Sequence, residues 1–104
     1  VLLTHPAWAD RGVYKGLDIV RSLQSFDRLH HSDYVHTLRL YLEQQCNLVR
    51  ASKALHIHRN TLVYRLEKLQ EMLPESLENE SYRFLLQLTL EMEQTLAEIA
   101  KGKC

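Results

Sequence analysis

Leu62, Leu66, Leu69 and Leu73 recur at intervals of four, three and four residues, and Pro74 follows at once. A strand cannot use that spacing, because its side chains alternate with a period of two. On a helix the four leucines make one stripe, and the proline ends it by pushing the residue before it out of the α region. A helix over 58–73, opened by His58 or Arg59, must therefore lay one face on other helices. Leu17, Val20, Leu23 and Phe26 predict one such helix over about 13–25, after a partly extended lead-in at Val1–Asp10; Phe26–His31 then reads as a connection. Ser32 reads as the N-cap of the next helix, in which Val35, Leu38 and Leu42 form the buried stripe up to about Gln45 and Arg39 falls off it. Beyond a polar linker, Glu75–Glu80, a closing helix over 81–100 carries Leu85, Leu88, Met92, Leu96 and Ile99 and stops at Gly102. With only three Gly and two Pro there is little from which to build hairpins. The predicted class is all-α, a four- to five-helix domain in which 1–31 is a lead-in with one helix and 32–104 is the main body.

Directly before the leucine stripe lies a second, shorter pattern. Asn47 is a good N-cap for Leu48–Leu55, whose Leu48, Ala51 and Leu55 share a face. After only eight residues His56-Ile57 interrupts it. A short helix, a sharp turn and a longer helix held across it make a helix-turn-helix, here at about 47–69. Ala51, Ser52 and Ala54 are small where the two helices must approach, and Ile57 is placed to plug the turn. Many such turns carry Gly where this chain has His56; a positive φ there is tolerated by histidine better than by a β-branched residue, at some strain.

The second helix then exposes one face. At about 100° per residue, Asn60, Thr61, Tyr64 and Lys68 point away from the leucines, and Arg59 and Arg65 flank them. Asn can bond an adenine edge, Arg a guanine, and Thr can touch a thymine methyl, while Lys and Tyr suit phosphate. The N-terminal residues of a recognition helix reach bases most often, which singles out His58, Arg59, Asn60 and Thr61. Asn47, Arg50 and Lys53 on the first helix are further contact candidates.

The charge pattern agrees. The chain is formally neutral, but residues 46–70 carry five basic groups (Arg50, Lys53, Arg59, Arg65, Lys68) against Glu67 alone, whereas 71–104 carry three basic and seven acidic groups. Phosphates respond to the local field within a Debye length of about 8–10 Å, not to the total.

The run from Asn47 to Leu69, with His58-Arg59-Asn60-Thr61-Leu62 and Tyr64-Arg65-Leu66 at its core, resembles the C-terminal helix-turn-helix of the PucR/CdaR family of bacterial transcription regulators. It is also similar to the Fis-like helix-turn-helix. Thr37–Glu43 looks like that family's lead helix and Tyr82–Leu88 like its closing helix, so the likeness covers about 32–92. It implies a sequence-specific domain that inserts helix 58–73 into the major groove of double-stranded DNA. It also implies that the effector ligand is bound by a separate region absent from this chain. The cysteines read as those of a cytoplasmic protein, and the few base pairs one such helix covers predict a homodimer. The chain opens on Val1 rather than Met, as expected of a piece excised from a longer protein.

Other readings fare worse. No apolar run approaches the ~20 residues of a membrane span. Cys46 and Cys104 do not form a disulfide framework and read as reduced thiols. His30, His31, His36, His56 and His58 lack the spacing of a zinc site, so no metal and no cofactor is expected. No motif ties a nucleophile to a base, so no enzyme is expected and no catalytic residue is named. Arg39 and Arg83 read as surface ion-pair groups. A half-buried Tyr64 with a wet hydroxyl is the plain alternative to a DNA contact. The alternative function is a helical protein-interaction or dimerisation module, which should show an apolar patch on the outer face of helix 58–73. That face instead shows Asn60, Tyr64 and Lys68. A dimer seam is expected on the closing helix, where Leu85, Met92 and Ile99 repeat every seven residues with Leu88 and Leu96 between them.

Overall fold

The computed structural model describes residues 7–102 and contains five helices and no strand among them: α1 (Ala7–His30), α2 (Tyr34–Glu43), α3 (Leu48–Leu55), α4 (Arg59–Met72) and α5 (Glu80–Gly102). The all-helical class expected from the leucine spacing is what the chain adopts. Val1–Pro6 of the expected lead-in lie outside the described residues, as does Cys104.

α1 is longer at both ends than the 13–25 expected, and Phe26–His30 are helix, not connection. Phe26 explains the extension: its ring stacks on His30 one turn later, at 4.1 Å between centroids, and meets Tyr34 of α2 at 5.9 Å. Ser32 is not the cap of α2; Asp33 takes that position without a side-chain cap bond. The orphan amides of Tyr34 and Val35 are instead satisfied by Asp27 of α1, whose Oδ1 and Oδ2 each accept at 2.9 Å, while Ser32 Oγ donates to Oδ1 at 2.7 Å. One carboxylate thus locks the α1–α2 corner.

α2 is the hub, packed on α1, α3, α4 and α5, and α1 also lies against α5. The core joins Val20 and Leu23 of α1, Leu38 and Leu42 of α2, Leu69 and Leu73 at the end of α4, Leu77 of the linker, and Tyr82, Leu86 and Leu90 of α5. At about 25 cal/mol per Å² this burial is the main force holding α4 in place.

The buried face of α5 differs from the expected stripe. Tyr82, Leu86, Thr89 and Leu90 face inward, so the set Leu85, Leu88, Met92, Leu96 and Ile99 lies about 100° round the helix. Leu85 and Met92 are half-buried, whereas Leu88, Leu96 and Ile99 are exposed. The error of phase arose because Thr89, polar by type, holds a fully buried place by donating Oγ1 to the carbonyls of Leu85 and Leu86, both at 3.0 Å. α5 also continues through Gly102 instead of stopping before it.

Candidate nucleic-acid interface

α3 and α4 form the two arms of the helix-turn-helix. Asn47 opens α3 by accepting the Arg50 amide at 2.9 Å, so its side-chain oxygen is committed to the cap. Ala51 and Ser52 are buried on α3, which packs against both α2 and α4, and Ser52 Oγ donates to the Val49 carbonyl at 2.9 Å. On α4, Leu62 is fully buried. The turn is closed by a Schellman pattern: the His56 amide reaches the Lys53 carbonyl at 3.2 Å and the Ile57 amide the Ser52 carbonyl at 3.1 Å. His56 sits at φ 59°, ψ 41°, the left-handed conformation for which glycine is usual. Ile57 is half-buried behind it.

His58 opens α4 by accepting the Asn60 amide on Nδ1 at 3.0 Å. An accepting Nδ1 places the ring proton of a neutral histidine on Nε2, which is left as the free donor of that side chain. Arg59, Asn60 and Thr61 are exposed, and Tyr64 is 58% exposed, which overturns the half-buried alternative. Lys68 Nζ lies 5.5 Å from the centroid of the Tyr64 ring, so the cation rides on the face of the tyrosine. On the other side of the helix Leu62 and Leu69 have no exposure at all. The first two turns of α4 therefore present polar and basic groups from a firmly seated helix.

The remaining candidates are placed differently. Arg50 and Lys53 are exposed on α3, and Arg50 Nε makes a long bond to Gln44 Oε1 at 3.4 Å. Arg65 is turned back onto α2, pairing with Asp33 Oδ1 at 3.1 Å and approaching Thr37 Oγ1 at 3.5 Å. Arg83 pairs with Glu80 at 3.9 Å and donates to the Leu77 carbonyl at 2.8 Å, whereas Arg39 makes no ion pair among the described residues.

Two acidic residues share this surface; in the sequence Glu67 registers only as a charge, and Glu71 is not placed on this face. Glu67 and Glu71 are exposed and follow Asn60 and Tyr64 by seven residues each, which puts them on the same face. The heptad spacing was the signal available. Their charge makes the outer face of α4 basic and polar in its first half and mixed in its second, where Lys68 lies between the two carboxylates. Among the described residues no group of three metal-ligating side chains is close enough to hold an ion, and no helix is long and apolar enough to cross a membrane.

The sequence has counterparts among known proteins. Residues 34–92 match the PucR C-terminal helix-turn-helix domain. The chain is 38% identical over 78 residues to the purine catabolism regulatory protein of Bacillus subtilis, an alignment covering 73% of this chain and 15% of that protein. It is 30% identical over 100 residues to the DNA-binding transcriptional activator AdeR of the same organism, covering 83% and 24%. To the carbohydrate diacid regulator of Escherichia coli it is 31% identical over 85 residues, covering 81% and 22%. The chain thus spans less than a quarter of the length of each of these regulators. No solved structure matches it at a significant level. The match over residues 34–92, together with the similarity to these regulators, places the chain in the PucR C-terminal helix-turn-helix domain family.

Proposed function

We propose that this chain is the sequence-specific DNA-binding domain of a bacterial transcription regulator, and that α4 enters the major groove by its first two turns. The observation that carries the proposal is the exposure of His58, Arg59, Asn60, Thr61 and Tyr64 on one end of a helix whose opposite side is anchored by the fully buried Leu62 and Leu69. The relatives, two regulators and a DNA-binding activator, support the same reading.

In this reading Arg59 and Asn60 read base edges, with Thr61 and the Nε2 donor of His58 beside them. Lys68, Tyr64, Arg50 and Lys53 take phosphates and fix the register. Asn47 contributes by its place at the start of α3 more than by its side chain, which the cap occupies. Glu71 sets the tilt: the last turn of α4, beyond Lys68, must rise away from the phosphates. The domain carries out no catalysis and works in the cytoplasm on double-stranded DNA. It acts as one half of a homodimer, and effector binding belongs to another region of the full regulator.

Selection of genomic fragments on the immobilised domain, followed by anisotropy titration of the enriched duplex against a random duplex, tests the reading. Five to seven phosphate contacts would give a slope of log K against log salt of about −5 to −6. A flat salt dependence, or no enriched sequence, would overturn it.

A further inference from the structure

Among the described residues, Arg65 is the one basic side chain of segment 46–70 that is held in an ion pair. Its partner has been released for that task by the packing of its neighbours. Asp33 occupies the N-cap position of α2, where an aspartate ordinarily accepts from the second or third amide of the helix. Here Asp27 accepts from the first two amides, those of Tyr34 and Val35, so the second is already bonded, and Asp33 makes no side-chain cap bond. Its carboxylate is turned instead across 32 positions of sequence to Arg65 Nη1 at 3.1 Å.

The place matters as much as the pair. Arg65 follows Thr61 by one turn of α4 and precedes Lys68 by another, so it borders the surface assigned above to DNA. An open cleft of about 470 Å³, lined by His31, Ser32, Asp33, Tyr34 and Arg65, lies against the pair. The two side chains are 30% and 55% exposed, and pairs so wetted contribute roughly 0–1 kcal/mol to stability. A bond of that strength is a poor brace, but it cancels one positive charge at the edge of a phosphate-binding surface.

We propose that Asp33 is a brake on sequence-independent DNA binding, acting by holding Arg65 away from the phosphate backbone. This rests on the DNA-binding reading. Each phosphate neutralised steepens the salt dependence by about 0.9 and strengthens binding at moderate salt whatever the sequence. Freed from Asp33, Arg65 supplies one more such contact. Asp33→Asn keeps the shape of the residue, and the cap of α2 does not depend on it.

The test is anisotropy titration of a random-sequence duplex over a range of salt, with the unmodified domain, Asp33→Asn, Arg65→Ala and the double variant, each checked for its melting temperature. Asp33→Asn should bind about five- to tenfold more tightly at 0.1 M salt, with a slope steeper by about 0.9. Adding Arg65→Ala should abolish both gains. A gain that survives in the double variant would mean that only the repulsion of Asp33 itself had been removed, and overturns the role of Arg65. Unchanged or weaker binding by Asp33→Asn, with an unchanged slope, would mark the pair as a structural tie and also overturns the proposal. If the unmodified domain shows no salt-sensitive binding, the DNA-binding reading falls first and the brake with it.

Discussion

A Cβ placed on Gly16 would stand 2.6 Å from Thr89 Cγ2 and 3.2 Å from its Oγ1, so α1 and α5 cross there with no room for a methyl group. Thr89 cannot retreat, since it is fully buried and its hydroxyl is bonded to two carbonyls of its own helix. Replacing a helical glycine by alanine normally stabilises by about 1 kcal/mol. Here overpacking, at about 1–3 kcal/mol, opposes that gain and wins. Gly16→Ala should therefore lower stability by about 1–2 kcal/mol in urea unfolding. Thr89→Ser, which removes Cγ2 but keeps the hydroxyl, should restore most of the loss in the double variant. A stabilised Gly16→Ala would mean that the two helices part easily.

His56 tests the turn. Its φ of 59° is reached at a cost for any residue with a Cβ, and nothing but the Schellman closure requires it. His56→Gly should raise stability by about 1 kcal/mol, and His56→Val should lower it by more, because β-branching makes the left-handed region costlier still. DNA affinity should follow neither change once the domain is folded. A His56→Gly variant no more stable than the parent would show that the imidazole makes up for the strain.

How much of this was legible from residues alone depends on what kind of signal carried it. The α3–α4 unit was readable because spacing, small residues and caps all lie within one short stretch: Asn47 caps α3, and His56 lies at the left-handed turn. The α1–α2 corner was not, because the cap of α2 comes from Asp27 on the preceding helix, a tertiary contact no local rule reaches. The phase of α5 was misjudged for a related reason. Its helix has apolar residues on two adjacent faces, and a buried threonine, matched to Gly16 on another helix, decides which face turns inward. Of the candidate contact residues, the exposed ones followed from their angle to the leucine stripe. The diversion of Arg65 to Asp33 depended on chain geometry 32 residues away.

Alkaline pH offers a probe of the core. Burial, reinforced by the nearby Glu75, pushes the pKa of Tyr82 up to about 12 from its ordinary 10. The unfolded chain then loses its proton first, so folding stability from this group is whole below pH 10 and is lost as pH rises toward 12. Two units correspond to about 2–3 kcal/mol at most. Urea midpoints should fall over that window, and Tyr82→Phe should flatten the fall. Tyr41, whose pKa is raised by burial and then by Cys46 beside it, accounts for a remainder. An identical alkaline profile in Tyr82→Phe would place the titration elsewhere.

The exposed face of α4 should divide its labour. Asn60→Ala or Arg59→Ala should cost about 1–3 kcal/mol on the selected site and little on random DNA, as expected for groups that bond base edges. Lys68→Ala should weaken binding to both alike and make the salt slope shallower by about 0.9. Phe at position 64 keeps a ring under the Lys68 cation, so Tyr64→Phe should be milder than Tyr64→Ala. Equal losses on selected and random DNA for every variant would refute this division.

The pairing of two domains is the remaining prediction, and the orientation of α5 sharpens it. One recognition helix covers about four or five base pairs, too few to be unique among the ~10⁶ or more competing sites of a genome. Two-fold pairing supplies the rest, with half-sites about 34 Å apart. The exposed part of the α5 stripe, Leu88, Leu96 and Ile99, is not consumed by the core: Leu96 is 52% exposed and Ile99 54%. That makes it available as a seam, and it also makes Leu96→Glu a clean variant, since an exposed side chain contributes little to folding. The unmodified domain should sediment as a dimer at tens of micromolar. Leu96→Glu should sediment as a monomer with the same melting temperature, and should lose cooperative binding to paired half-sites while keeping affinity for one. A domain that is monomeric at high micromolar concentration without the substitution would remove the seam from α5, and cooperative binding would then have to appear only in the full-length regulator.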